Sequence, residues 1–219
     1  MNPSLDLTGF SENIAAFRPE RHARPRCLAI YAAALALADN RLLSLAIERG
    51  RQHGLNRSDF YEVVLQSYLF LGFPRMLSAA EHLELMLPNG AKGDTVPVAT
   101  DTDIARWQQR GTDLCRRIYG ESFPLLKEKV QPIAPEIFDW MIFEGYGKVL
   151  SRPGLDVISR ELCIVAFLMA ENRPVQLYSH MRGALNVGAN PDLLRMVIDD
   201  LGEAFGDGYR AAQEILARL

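Results

Sequence analysis

Apolar residues recur along this chain at the spacing of one helix face, and Gly, Pro, Asn and Asp interrupt them about every 10 to 20 residues. Alternating runs that would mark strands are nearly absent. The pattern predicts helices over Ser58–Leu71, Ile104–Tyr119, Pro135–Gly145, Asp156–Glu171, Pro174–Val187 and Pro191–Leu219, the last broken around Gly206–Gly208. Leu28–Ala38 is apolar on every side, which predicts a helix buried all round rather than one lying on the surface. The fold class that follows is all-α.

The punctuation repeats. At a shift of 134, Arg26 aligns with Arg160, Gly54 with Gly188, Asn56 with Asn190 and Gly72 with Gly206. ADNR (Ala38–Arg41) and AENR (Ala170–Arg173) align at 132 instead, which implies a two-residue indel. Gly54 and Gly188 suit the position after a helix end, where a left-handed residue stops the helix. Asn56 and Asn190 suit the next N-cap, and Pro191 suits the first helical turn. The chain therefore divides into an N-terminal helical copy over 1–86, a linker over 87–103 and a C-terminal unit over 104–219. The linker, LPNGAKGDTVPVATDTD, is rich in Gly, Pro, Thr and Asp. Its Gly-x-x-Gly-Asp lacks the Gly-Lys-Ser/Thr and the preceding strand of a phosphate loop.

Composition narrows the classes. The chain has 219 residues, is 48% hydrophobic and carries a net charge of −3, giving no electrostatic reason to expect nucleic acid. Cys27, Cys115 and Cys163 show no metal-ligand or dithiol spacing, so neither a metal nor a cofactor is expected. Cys27 and Cys163 sit in apolar runs, where a thiol is buried and inert. The polar, acidic start MNPSLDLTGFSENI is unlike a secretory signal. The apolar run Cys27–Ala38 is about a dozen residues, too short to span a bilayer. A soluble, cytoplasmic protein with no membrane partner is the expectation.

One stretch of the second copy stands apart. RRIYGESF (Arg116–Phe123), EGYGKVLSRPGLDVISREL (Glu144–Leu162) and SHMRGALNVGA (Ser179–Ala189) resemble, in order, the lead, the central signature and the following signature of the carboxymuconolactone decarboxylase family. In the first copy, YLFLGFPRMLSAAEHL (Tyr68–Leu83) is similar to that family's closing Gly-x-Pro helix, from which GDGYRAA (Gly206–Ala212) departs. The resemblance implies an alkylhydroperoxidase D-like helical bundle with two related copies. It also implies a homo-oligomer, a trimer in preference to a dimer or hexamer. Thiol-dependent relatives in that superfamily carry a Glu, a Cys-x-x-Cys pair and a His nineteen positions after the Glu. Glu161 and His180 keep the spacing here, while Arg173 and Gln176 stand where the cysteines would be. In the first copy Cys27 and Ala46 take the places of Glu161 and His180.

The chemistry implied is cofactor-independent decarboxylation of a small carboxylated lactone or related acid. Loss of carbon dioxide leaves an electron pair that spreads onto the lactone carbonyl, and a ring carbon then takes a proton. Glu161 and His180 are the expected catalytic pair, the imidazole handling the proton and the carboxylate orienting it. Arg152 and Arg182 are expected to hold substrate carboxylates, with Tyr146 and Tyr178 as hydroxyl donors. The stripe Gln176, Leu177, His180 and Ala184 is expected to face Glu161, Ile164, Val165 and Leu168 across a helical hairpin. His22, His53 and His82 are expected on the surface. Two other readings compete: a catalytically silent oligomeric binding or scaffold protein, and an alkylhydroperoxidase-like antioxidant protein disfavoured by the missing thiols.

Overall fold

The computed structural model describes residues 5–89 and 100–219, and among them every regular element is helical. Four helices come first: α1 (Leu7–Ala16), α2 (Ala23–Leu37), α3 (Asn40–Gln52) and α4 (Arg57–Met86). Then follow α5 (Asp101–Tyr119), α6 (Phe123–Val130) and α7 (Pro135–Trp140), which runs on as wide π-type turns over Met141–Leu150. The last four are α8 (Val157–Ala170), α9 (Pro174–Asn186), α10 (Pro191–Leu201) and α11 (Asp207–Leu216). Most of the expected linker lies outside the described residues, and its end, Asp101–Asp103, is already the first turn of α5.

Packing divides the chain into two compact units, Met1–Pro88 with Gly154–Leu219, and Asn89–Pro153. The cut differs from the copies read along the sequence, because residues 154–219 pack with the N-terminal residues rather than with the helices just before them.

In the larger unit α2 packs against α8, and both are buried along most of their length, Cys27 to Ala36 and Ser159 to Ala170. Leu37 and Ala170, the last residues of the two helices, line one cavity; Pro25 and Ser159, near their starts, line another. The two helices therefore run side by side in the same direction. Their alanine-rich and β-branched surfaces suit close approach with little side-chain entropy lost.

Caps set the helix starts. Asn56 accepts from the amides of Ser58 and Asp59, and Asp59 returns the bond to the Asn56 amide at 2.8 Å. Asp156 caps α8 through the Ser159 amide, and Asn190 caps α10 through the Asp192 amide. Gly54 and Gly188 follow the helix ends with φ of 84° and 105°, a region that favours glycine. Helix starts at Ala23, Asn40 and Arg57 recur at Val157, Pro174 and Pro191, each 134 positions on. Ala38 and Asn172, also 134 apart, are both left-handed at the ends of α2 and α8, so no indel is needed there.

Two arginines, Arg160 buried and Arg26 partly so, cross between the halves. Arg26, fourth in α2, donates to both carboxylate oxygens of Asp200 on α10 at 2.7 Å. Arg160, fourth in α8, donates to Glu62 at 2.8 Å and to Gln66 at 3.2 Å, both on α4. The Arg160 charge is removed from water almost completely, and losing one side of such a buried pair costs about 3–5 kcal/mol.

Sequence reading missed α1 and α6; α3 entered it only as the helix that Gly54 ends, and the second half of α4 only through its likeness to a Gly-x-Pro helix. Gly72, at φ 78° and ψ 165°, breaks α4, and Pro74 then opens its second half. Among the described residues α4 is long and apolar enough to cross a membrane by length and composition alone, which the run Cys27–Ala38 is not. Its first half nevertheless carries buried Asp59 and Glu62, ion-paired to Arg24 and Arg160.

The smaller unit pairs α5 with the wide turns of Met141–Leu150. A Cβ on Gly111 would stand 1.9 Å from the Ile142 carbonyl oxygen, and one on Gly147 would stand 2.0 Å from that of Trp107. Only glycines let these two backbones meet.

Candidate active site

Asp156 fixes where α8 begins, and five residues in, Glu161 turns towards the interior. The short connection Glu171–Arg173, with Asn172 left-handed, reverses the chain into α9. Seven residues into α9, His180 faces back onto α8. Its Nδ1 lies 2.9 Å from Glu161 Oε2, and the two residues are 7% and 1% exposed. The expected stripes meet, with Leu177, His180 and Ala184 buried against α8; Gln176, expected among them, is exposed instead.

A carboxylate can only accept, so the shared proton assigns an Nδ1–H tautomer to the neutral ring. Nε2 is then the nitrogen left for a second partner. Phe70 from α4 meets the imidazole edge to face at 5.7 Å and stacks on Phe167 at 5.9 Å. Apolar aromatic walls and a buried carboxylate strengthen any charge developing on the ring.

The neighbouring thiols are of another kind. Cys163 is fully buried, and desolvation pushes its thiol far above the ordinary range. Cys27 is pushed up to about 12, first by burial and then by the Asp200 charge. Both stay protonated at neutral pH, without the thiolate that nucleophilic sulfur chemistry needs. Arg173 and Gln176 are exposed.

No protein-family profile matches the chain. A curated protein is similar, Peroxisomal protein 2 of Schizosaccharomyces pombe. The two are 27% identical over 132 residues, which cover 60% of this chain and 61% of that protein. The chain thus aligns with less than two thirds of its relative's length.

Two of the four expected substrate-binding residues, Arg182 and Tyr178, share α9 with His180 but face away from it. Arg182 donates to the Tyr178 hydroxyl at 3.2 Å on the exposed face of α9, about half a turn round the helix from His180. Tyr146 and Arg152 belong to the smaller unit, where the Tyr146 hydroxyl donates to that of Tyr119 at 3.3 Å. Two of the cavities among the described residues, about 350 Å³ and about 270 Å³, are lined by neither Glu161 nor His180.

One buried histidine was missed. His82 is 9% exposed, not on the surface, and its Nε2 lies 3.0 Å from Ser44 Oγ. Burial lowers its pKa and favours the neutral ring. The signal was available: His82 and Leu83 follow Ala79 at helical spacing within an apolar stretch.

Proposed function

We propose that this chain is a cofactor-independent enzyme of carboxymuconolactone decarboxylase type, acting by proton transfer on a small carboxylated lactone or related acid. The observation that carries the reading is the buried 2.9 Å bond from His180 Nδ1 to Glu161. In the proposed reaction the substrate carboxylate leaves as carbon dioxide, and its bonding pair passes through the conjugated ring to the lactone carbonyl. His180 Nε2 first takes a proton from solvent, and the imidazolium so formed delivers that proton to a ring carbon, which returns the imidazole to its Nδ1–H form. Glu161 holds the imidazole in register and stabilises its protonated form.

The proposal extends to the architecture: an alkylhydroperoxidase D-like bundle built from two related copies. Support comes from the helix starts repeated at 134 and from the crossed arginines. A homotrimer is proposed with it. Phe73, Leu77 and Leu85, 59%, 55% and 77% exposed on the second half of α4, supply apolar surface for such contacts. Light scattering on the purified chain gives the mass directly. The compartment proposed is the cytoplasm, and imaging of the tagged chain in its own cell sets that against the peroxisome named for its relative.

The test is carbon dioxide release from a panel of unsaturated lactone acids. His180→Ala is expected to lower the rate by about 10²–10⁴-fold, the usual weight of a positioned acid–base group. Release unchanged by that substitution removes the histidine from the mechanism. A silent binding protein is the second reading, favoured by the near-complete burial of Glu161 and His180 under neighbouring side chains. Thiol peroxidase activity is disfavoured by the buried, protonated Cys163.

A further inference from the structure

The larger cavity, about 350 Å³, lies where α2 and α8 end together, and nothing in the proposed decarboxylation uses it. Leu5, Leu7, Ala36, Leu37, Ala38 and Ala170 give it an apolar lining, and Arg75 and Glu171 are its charged groups. We propose that this cavity binds a small zwitterion with an apolar side chain, of the chemical class of an aliphatic or aromatic α-amino acid.

The charged pair is only half used. Arg75 Nη1 donates to the Ala36 carbonyl at 3.0 Å and also to Glu171 Oε1. Among the described residues, Arg75 Nη2 and Nε and Glu171 Oε2 engage no other group. The open edge of a guanidinium suits a carboxylate, and the second carboxylate oxygen suits an ammonium. A ligand bearing both charges on one carbon meets both edges without breaking the pair.

Two further features assign the ends of the ligand. The C-termini of α2 and α8 converge on the cavity, and each carries partial negative charge that favours the ammonium. Leu5, Leu7 and Leu37 offer apolar surface for the side chain. The volume falls in the range of small-molecule sites that bury most of their ligand.

The experiment is calorimetric titration of the full chain with L-leucine, L-methionine and L-phenylalanine, alongside isoamylamine and 4-methylpentanoate, which carry one charge each. At least one amino acid is expected to bind, with either single-charge analogue weaker by about tenfold or more. Glu171→Gln, which keeps the side-chain shape, is expected to weaken amino-acid binding by a similar factor, and Arg75→Gln likewise. Circular dichroism identifies any variant that fails to fold, and the comparison of ligands on the native chain does not depend on the variants. No heat with any of the three amino acids overturns the proposal. So does equal binding of the single-charge analogues, or binding that survives both substitutions in folded protein.

Discussion

Cys27 and Ala46 hold, in α2 and α3, the same register positions that Glu161 and His180 hold in α8 and α9: fifth in one helix and seventh in the next. All four are buried, yet one place is filled by a thiol and a methyl and the other by a carboxylate and an imidazole. The helical frame does not demand the polar pair, since the first half closes the same geometry with apolar atoms. A buried acid and base cost desolvation that cysteine and alanine avoid. Their presence on one side alone is what the proposed proton transfer rests on.

The strongest way to probe this comparison is through the crossed arginines that hold the two sides in register. Arg160→Met removes the buried cation that donates to Glu62 at 2.8 Å and should cost about 3–5 kcal/mol in urea unfolding. Adding Glu62→Met should recover most of that loss. Arg26→Met should cost less, because Arg26 and Asp200 are more exposed, 14% and 10% against 1% and 7%. Equal losses would mean that the two crossings share one environment.

A smaller effect is expected from giving the first half the second half's residue. Cys27→Glu buries a carboxyl with no histidine opposite and should destabilise by about 3 kcal/mol. Its folded pKa would be raised, so the stability should fall further as pH rises. Ala46→His added to it should return part of the loss, read as a coupling of about 1–3 kcal/mol in a double-mutant cycle. A coupling near zero would break the equivalence of the two places.

The smallest effect concerns a polar pair of the first half, Ser44 and His82. His82 has a folded pKa lowered by burial, so the unfolded chain binds its proton more readily. Its contribution is present above the unfolded value of about 6.5 and is lost as pH falls below it. His82→Gln should therefore flatten the acid limb of thermal stability below about pH 6.5. A limb of unchanged slope would show that His82 does not govern it.

Much of the local structure was legible. Asn56 and Asn190 cap where their side chains and positions indicated, and Gly54 and Gly188 take the positive φ that their places required. The Glu161–His180 contact was legible too, because a short hairpin leaves few ways for nineteen residues to close. Less legible was α3, where Arg41, Glu48, Arg49 and Arg51 mask a stripe of Leu42, Leu43, Ala46 and Ile47. Periodicity alone stopped the first helix of this stretch at Leu71, since Gly72 and Pro74 read as an end, whereas Pro74 opens the second half of α4. The pairing of α2 with α8 had no local signature. Both are buried on nearly every face, so neither shows which partner it takes.

That pairing has a consequence for how the chain is made. Residues in α2 find their main neighbours in α8, 134 positions later, and the intervening stretch must close as one long loop. Such a contact order slows the final step of folding. During synthesis α2 leaves the ribosome well before α8 exists, with ten consecutive residues, Cys27 to Ala36, that the finished fold buries. At about 5–20 residues per second that apolar surface lacks its native cover for several seconds or more, a window in which a chaperone or a second nascent copy meets it first.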